Sequence, residues 1–315
     1  MNTLYKKLCA ILLVGLLTLT LSYSGFAAGP VESAGIEKNG AAKKGDGVIR
    51  ILAIGNSFSQ DAVEQYLYEL FDAAGIKVII GNMYIGGCSL ERHYNNSVSG
   101  KDAYAYRKIV DGKRTNTPNT RLIDAVMDEP WDYISLQQAS GKSGLYETYN
   151  PYLPSLISYL RENAPKKDFK LVWHQTWAYA SDSDHRDFPK YGNSQMAMYE
   201  AIVSAARKAL KDNDFDVLVP SGTAIQNART SYVGDKFNRD GYHLELNYGR
   251  YTAACTWFEA ISGKCVLGNS YAPDSVDEGK KAVAQNAAHL AVRHPYRVTI
   301  MKRFRSEVNR SDVLM

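Results

Sequence analysis

Val48-Ile49-Arg50-Ile51-Leu52-Ala53-Ile54-Gly55-Asn56-Ser57-Phe58-Ser59 joins an apolar run of strand length to a glycine turn, which opens into helical periodicity at Val63, Tyr66, Leu67, Leu70 and Phe71. That order predicts a buried β-strand feeding an amphipathic helix over 60–74. A serine at this junction stands at the carboxyl end of a strand and on the first turn of a helix. Open α/β sheets bind ligands outside such strand ends, and helix amino-termini offer free N–H groups to a developing anion. Ser57 is thus a candidate nucleophile, while Ser57 or Ser59 would serve equally well as the helix N-cap.

Upstream of this stretch, Lys6 and Lys7 precede a mostly apolar run from Leu8 to Leu21, and Gly25-Phe26-Ala27-Ala28 offers small residues for cleavage. Residues 1–28 therefore read as a signal peptide, which predicts an exported protein, secreted or periplasmic, with no stable membrane insertion after cleavage. Residues 29–46 are Gly, Ala, Lys and Glu with almost no large apolar side chain, a flexible linker. The remaining 47–315 has the length of one large α/β domain. The formal charge of +4 falls to 4 − 2 = +2 without Lys6 and Lys7, and no basic block suggests a nucleic-acid partner.

Downstream, apolar runs over 77–85, 131–136, 169–175 and 215–219 alternate with helical patterns over 119–127, 151–163 and 196–210. Five such alternations predict a parallel sheet covered by helices on both faces, an α/β three-layer fold. Residues 91–118 read as a long polar surface excursion with one short helix over 104–110. No G-x-G-x-x-G or G-K-[ST] loop follows any strand, so no nucleotide cofactor is expected.

The strand exits carry the remaining candidates. Gly86-Gly87 after the second strand lets backbone approach a ligand closely. Gln137 and Gln138 after the third either project into a crevice or cap the sheet. After the fourth, Trp173, His174, Gln175, Trp177 and Tyr179 are candidate substrate-binding residues, the aromatic ones as a wall for a sugar ring. The acidic run 182–187 reads as a solvated loop, with calcium binding as the sharper alternative. Cys88, Cys255 and Cys265 remain after cleavage, and their spacing matches no zinc site, so no metal is expected. A Cys255–Cys265 bridge would require the helix over 248–261 to end and fold back.

Near the end, Asp240-Gly241-Tyr242-His243 places a carboxylate three residues before an imidazole in a glycine turn. That spacing lets Asp240 hold Nδ1–H and leaves Nε2 free as a base, which a serine hydroxyl needs to become a nucleophile at neutral pH. Asp-x-x-His is also a frequent accident. His174 ends a strand with no acid at a fixed short spacing, and His93, His185, His289 and His294 have weaker contexts.

Taken together, Gly55-Asn56-Ser57-Phe58-Ser59, Gly86-Gly87, the amide pair after the third strand and Asp240-Gly-Tyr-His243 resemble the four blocks of the SGNH (GDSL-like) hydrolases, in a divergent exported bacterial branch. The resemblance implies a flavodoxin-like order for a five-stranded parallel sheet. It also implies Ser57 as nucleophile, His243 as base and Asp240 as its orienter. The oxyanion hole would combine the N–H of Ser57, the N–H of Gly87 (or Gly86) and an amide from Gln138 or, close behind, Gln137. Two departures stand out. Asn56 replaces the commoner aspartate, and Leu136-Gln137-Gln138-Ala139 replaces Gly-x-Asn. The family implies ester hydrolysis through an acyl-enzyme without a cofactor, with O-acetylated carbohydrate as the expected substrate. The rival expectations are a carbohydrate-binding protein on a decayed hydrolase fold and a calcium-dependent surface protein.

Overall fold

The computed structural model describes residues 46–306. The signal segment and nearly all of the linker lie outside the described residues. In chain order the elements are β1 (Val48–Gly55), α1 (Ser57–Val63), α2 (Leu67–Ala73), β2 (Lys77–Tyr84), α3 (Leu90–Ser99), β3 (Tyr104–Val110), β4 (Lys113–Thr120) and α4 (Leu122–Asp128). They continue with β5 (Tyr133–Leu136), α5 (Tyr152–Asn163), β6 (Lys170–His174), α6 (Gln195–Asp212), β7 (Val217–Val219), α7 (Ser221–Arg229), α8 (Tyr248–Ser262) and α9 (Glu278–Arg293).

The sheet order among the described residues is β4-β3-β2-β1-β5-β6-β7. β2, β1, β5, β6 and β7 run parallel. Counted among themselves they follow the flavodoxin order 2-1-3-4-5. Helices cover both faces. Ile51, Ala53, Phe58 and Trp177 pack with α1, α2, α7, α8 and α9 on one side. Leu52, Ile54, Trp131 and Trp173 pack with α3, α4 and α5 on the other. Opposite neighbours along β1 thus enter opposite cores, as the two-residue period of a strand requires.

The sheet has seven strands, two more than the sequence predicts. Residues 104–110 are strand β3, where a short helix is expected, and pair antiparallel with both β2 and β4. Tyr104, Tyr106 and Ile109 are the buried side chains of β3. Asp111 and Gly112, with φ of +48° and +73°, make the two-residue turn for which Asp-Gly is a strong local signal. The hairpin is held by Glu64, the buried residue that closes α1. Its carboxylate accepts from Arg107 at 2.9 Å, from Arg114 at 3.1 Å and from the Asn82 amide at 2.6 Å. The predicted helix over 60–74 is split into α1 and α2 by Tyr66, whose φ of +69° breaks the helix. No helix of the described residues is long and apolar enough to cross a membrane.

His93 on α3 and His174 at the end of β6 are both buried, and burial pulls each imidazole down from 6.5 to about 3. A depressed folded-state value means that the unfolded chain takes up protons first as pH falls, so this stability is full above about 6.5 and is lost toward 3. Chemical denaturation between pH 7 and 4 is expected to show stability falling by up to about 1.4 kcal/mol per pH unit for each imidazole. His174→Gln should flatten that dependence, and an unchanged slope would assign it to other groups.

Candidate active site

β1 delivers the chain to Gly55, where a Cβ would lie 2.6 Å from Ser59 Oγ and 3.0 Å from Gln137 Cδ. Asn56 follows in extended conformation and caps α1, its Oδ1 accepting from Phe58 N at 2.9 Å. The cap is therefore Asn56 rather than a serine. Ser59 is buried, with Oγ 2.8 Å from Asn56 O and 2.9 Å from Asn82 Oδ1. Ser57 is half-buried on the first turn of α1, where backbone N–H groups are free of intrahelical partners.

Asp240 and His243 form the pair that their spacing predicts. The His243 ring Nδ1 donates to Asp240 Oδ2 at 2.7 Å, and the His243 backbone N–H donates to Oδ1 at 2.7 Å. Gly241 between them has φ +83°, and a Cβ there would sit 2.9 Å from Ser183 Oγ. Partial burial pushes the Asp240 carboxyl up, but the hydrogen bonds and charge of His243 outweigh it and hold it below its ordinary value. With Nδ1–H committed, the lone pair of the neutral ring lies at Nε2.

The histidine loop is fastened to α1. Asp61 lies one helical turn after Ser57, on the same face. Its buried carboxylate accepts from the Leu244 N–H at 2.9 Å, from Arg239 at 3.0 Å and from Arg250 Nε at 2.8 Å. The Phe58 ring stands 6.0 Å from the His243 ring and stacks on Trp177 at 4.3 Å. These contacts put Ser57 and His243 on one side of the sheet end, although no hydrogen bond joins Ser57 Oγ to His243 among the described residues. Side chains of this kind often tighten only around bound substrate.

Gly86 and Gly87 are exposed in the turn closed by Cys88 N–H to Ile85 O at 3.2 Å. The Asn56 amide donates to Cys88 O at 3.0 Å and so ties this turn to the one bearing Ser57. The two glutamines diverge. The Gln138 amide lies 3.3 Å from Thr148 O and 3.1 Å from Thr148 Oγ1, which engages its hydrogens, while its Oε1 accepts from the Leu90 N–H at 3.0 Å. Gln138 therefore does not hold the position favoured for it in the sequence. The Gln137 amide donates to Asn56 Oδ1 at 3.0 Å and keeps a second hydrogen. Its Oε1 accepts from His174 Nδ1 at 2.8 Å, and His174 Nε2 accepts from Ser221 Oγ at 3.1 Å.

The expected aromatic wall is not built. Trp173, Trp177 and Tyr179 are at most 2% exposed, so none offers a face to a sugar ring. Trp173 packs against Tyr149 and Phe215. Trp177 Nε1 donates to Tyr242 O at 2.8 Å, and Tyr179 lies against Tyr242, so both brace the histidine loop. His174 and Gln175 are buried as well. In the acidic run, Asp187 pairs with Lys190 at 2.6 Å, and the run contributes no cluster of three converging metal ligands among the described residues. A cavity of about 610 Å³ between α9 and residues 303–306 includes none of these candidates. Asp61, Arg239 and Arg250 are the site residues that sequence reasoning missed, while Asn56, noted there as a departure from the family pattern, caps the helix.

A five-stranded parallel core thus carries a serine and an Asp–His pair at its carboxyl edge. The chain belongs to the DUF4886 family, a domain of unknown function, whose model matches residues 50–291. The crystal structure of a DUF4886 family protein from Bacteroides uniformis is 54% identical, with a TM-score of 0.80 over 82% of this chain and 99% of that one. TesA, at 15% identity, aligns over 70% of this chain and 98% of its own with a TM-score of 0.40. A catalytic mutant of Axe2, an acetylxylan esterase from Geobacillus stearothermophilus, aligns at 10% identity over 70% and 94% with a TM-score of 0.43. Those last two likenesses are too loose to carry functional weight. None of the curated proteins compared matches the chain.

Asp61→Ala would leave two guanidinium groups facing a buried void. It is expected to destabilise the fold by about 3–5 kcal/mol, read as a lower urea midpoint at unchanged slope. A loss below about 1 kcal/mol would mean that the arginines find other partners and that Asp61 does not fasten the loop.

Proposed function

We propose that this protein is an exported serine ester hydrolase that works through an acyl-enzyme, with O-acetylated carbohydrate as substrate. The observation that carries the reading is the Asp240–His243 pair at 2.7 Å, on a loop bound through Asp61 to the helix that begins with Ser57. Ser57 Oγ attacks the ester carbonyl as His243 Nε2 takes its proton. The oxyanion accepts from the N–H groups of Ser57 and Gly87. The free Gln137 hydrogen would be the third donor, from the neighbouring residue to the one favoured in the sequence. Collapse expels the alcohol with the proton from His243, and water activated by the same imidazole then releases the acyl group. The carbohydrate half of the proposal rests on the resemblance of the sequence blocks alone, since the aromatic residues expected to bind sugar lie in the core.

Hydrolysis of a short-chain aryl acetate tests the chemistry. Ser57→Ala and His243→Ala should each lower kcat by at least ~10³-fold while the protein stays folded. Turnover retained in either variant would return Ser57 to an ordinary first-turn residue.

The two glutamines should separate on the same assay. Gln137→Ala is expected to cost ~10²–10³ in kcat, the usual effect of removing one oxyanion donor. Gln138→Ala should lower stability with kcat within a few-fold of wild type. The reverse result would restore the Gln138 assignment.

A further inference from the structure

Away from the strand ends, Glu259 near the end of α8, Cys265 in the α8–α9 loop and His289 on α9 converge. One ligand-type atom from each lies within 4.8 Å of the other two. His289 Nδ1 is 2.8 Å from Glu259 Oε1 and 3.5 Å from Cys265 Sγ. Cys265 is a free thiol. We propose that these three side chains form a binding site for a single zinc ion.

Bond lengths of about 2.0–2.3 Å to tetrahedral zinc place neighbouring ligand atoms about 3.3–3.7 Å apart. The sulfur–nitrogen separation already has that value, and the nitrogen–oxygen contact reaches it by opening about 0.5 Å. The second Glu259 oxygen accepts from the Val266 N–H at 2.8 Å, the kind of outer contact that aims a ligating carboxylate. Glu259 is buried while Cys265 is exposed, so the fourth position faces solvent and would take water. Thiolate, carboxylate and neutral imidazole together balance the charge of a divalent ion. Binding releases the thiol proton and moves the imidazole proton from Nδ1 to Nε2. The mixed sulfur, nitrogen and oxygen donor set suits zinc and disfavours magnesium or calcium. Sequence spacing hides the site, because its third ligand lies on a different helix from the first.

The test is titration of chelator-stripped, reduced protein with zinc against a chromophoric chelator. One zinc per chain is expected. Cys265→Ser, on an exposed loop where folding is not at risk, and His289→Ala should each weaken binding by more than the ~10–100-fold typical of an outer-shell partner. Cobalt in place of zinc should give a thiolate charge-transfer band that Cys265→Ser abolishes, and zinc should protect Cys265 from alkylation. Failure to bind one equivalent, or binding indifferent to both substitutions, would leave a plain Glu259–His289 ion pair with a bystander thiol and overturn the proposal.

Discussion

The buried carboxylate of Asp61 is the contact on which the proposed site depends. Ser57 and His243 are nearly two hundred residues apart, and nothing in strand pairing brings their loops together. Asp61 does so by accepting from the Leu244 backbone and from two arginines that flank the histidine loop. A charge this deep is tolerated only when paired and hydrogen-bonded on most of its lone pairs. The arrangement is therefore specific: a loop displaced by one residue would strand a carboxylate in the core. Glu64, one turn further along, uses the same physics to fasten the β3–β4 hairpin. The short helix α1 is thus pinned from two sides by acids and from its amino-terminus by Asn56.

A second constraint runs at right angles to the first. Ser221, His174, Gln137, Asn56 and the Cys88 carbonyl form one directed chain of hydrogen bonds. His174 ends β6 and the others follow β7, β5, β1 and β2, so the chain crosses the carboxyl ends of all five parallel strands in sheet order. Its direction is set by Gln137 Oε1, which can only accept. His174 therefore donates from Nδ1, and burial, which holds its imidazole near 3, keeps the ring neutral so that Nε2 accepts from Ser221. The histidine that the sequence offered as a substrate contact is instead the middle of a brace.

Much of this is legible in the sequence. The strand–turn–helix at Gly55, the five alternations and the Asp-x-x-His turn each rest on local chemistry, and local chemistry decided them. What escaped were matters of facing. Gln137 and Gln138 are neighbours just past β5 whose amides go to different partners, Gln137 to Asn56, 81 residues back, and Gln138 to Thr148, 10 residues on. Trp173, Trp177 and Tyr179 are expected from the sequence to form a wall, but a large aromatic residue at a strand end suits the core just as well. The β3–β4 hairpin was hidden by its polar outer strand, although Asp111-Gly112 carried the turn signal in plain view. Asp61 carries no local signal, since its partners arrive only with the fold.

Helix α8 connects the two chemistries. Arg250, near its amino-terminus, holds Asp61, and Glu259, nine residues on, faces Cys265 and His289. Nine residues of helix span about 14 Å, and α8 is buried along nearly its whole length. It is a rigid rod with one end in the proposed hydrolytic site and the other in the proposed zinc site. A metal there would clamp α8 to α9 at the end remote from Arg250, adding stability where the connecting loop is exposed. Because the ion would touch none of Ser57, His243 or Asp240, its removal would bear on how firmly α8 is held, while the chemistry of the strand ends would remain the work of residues already in place.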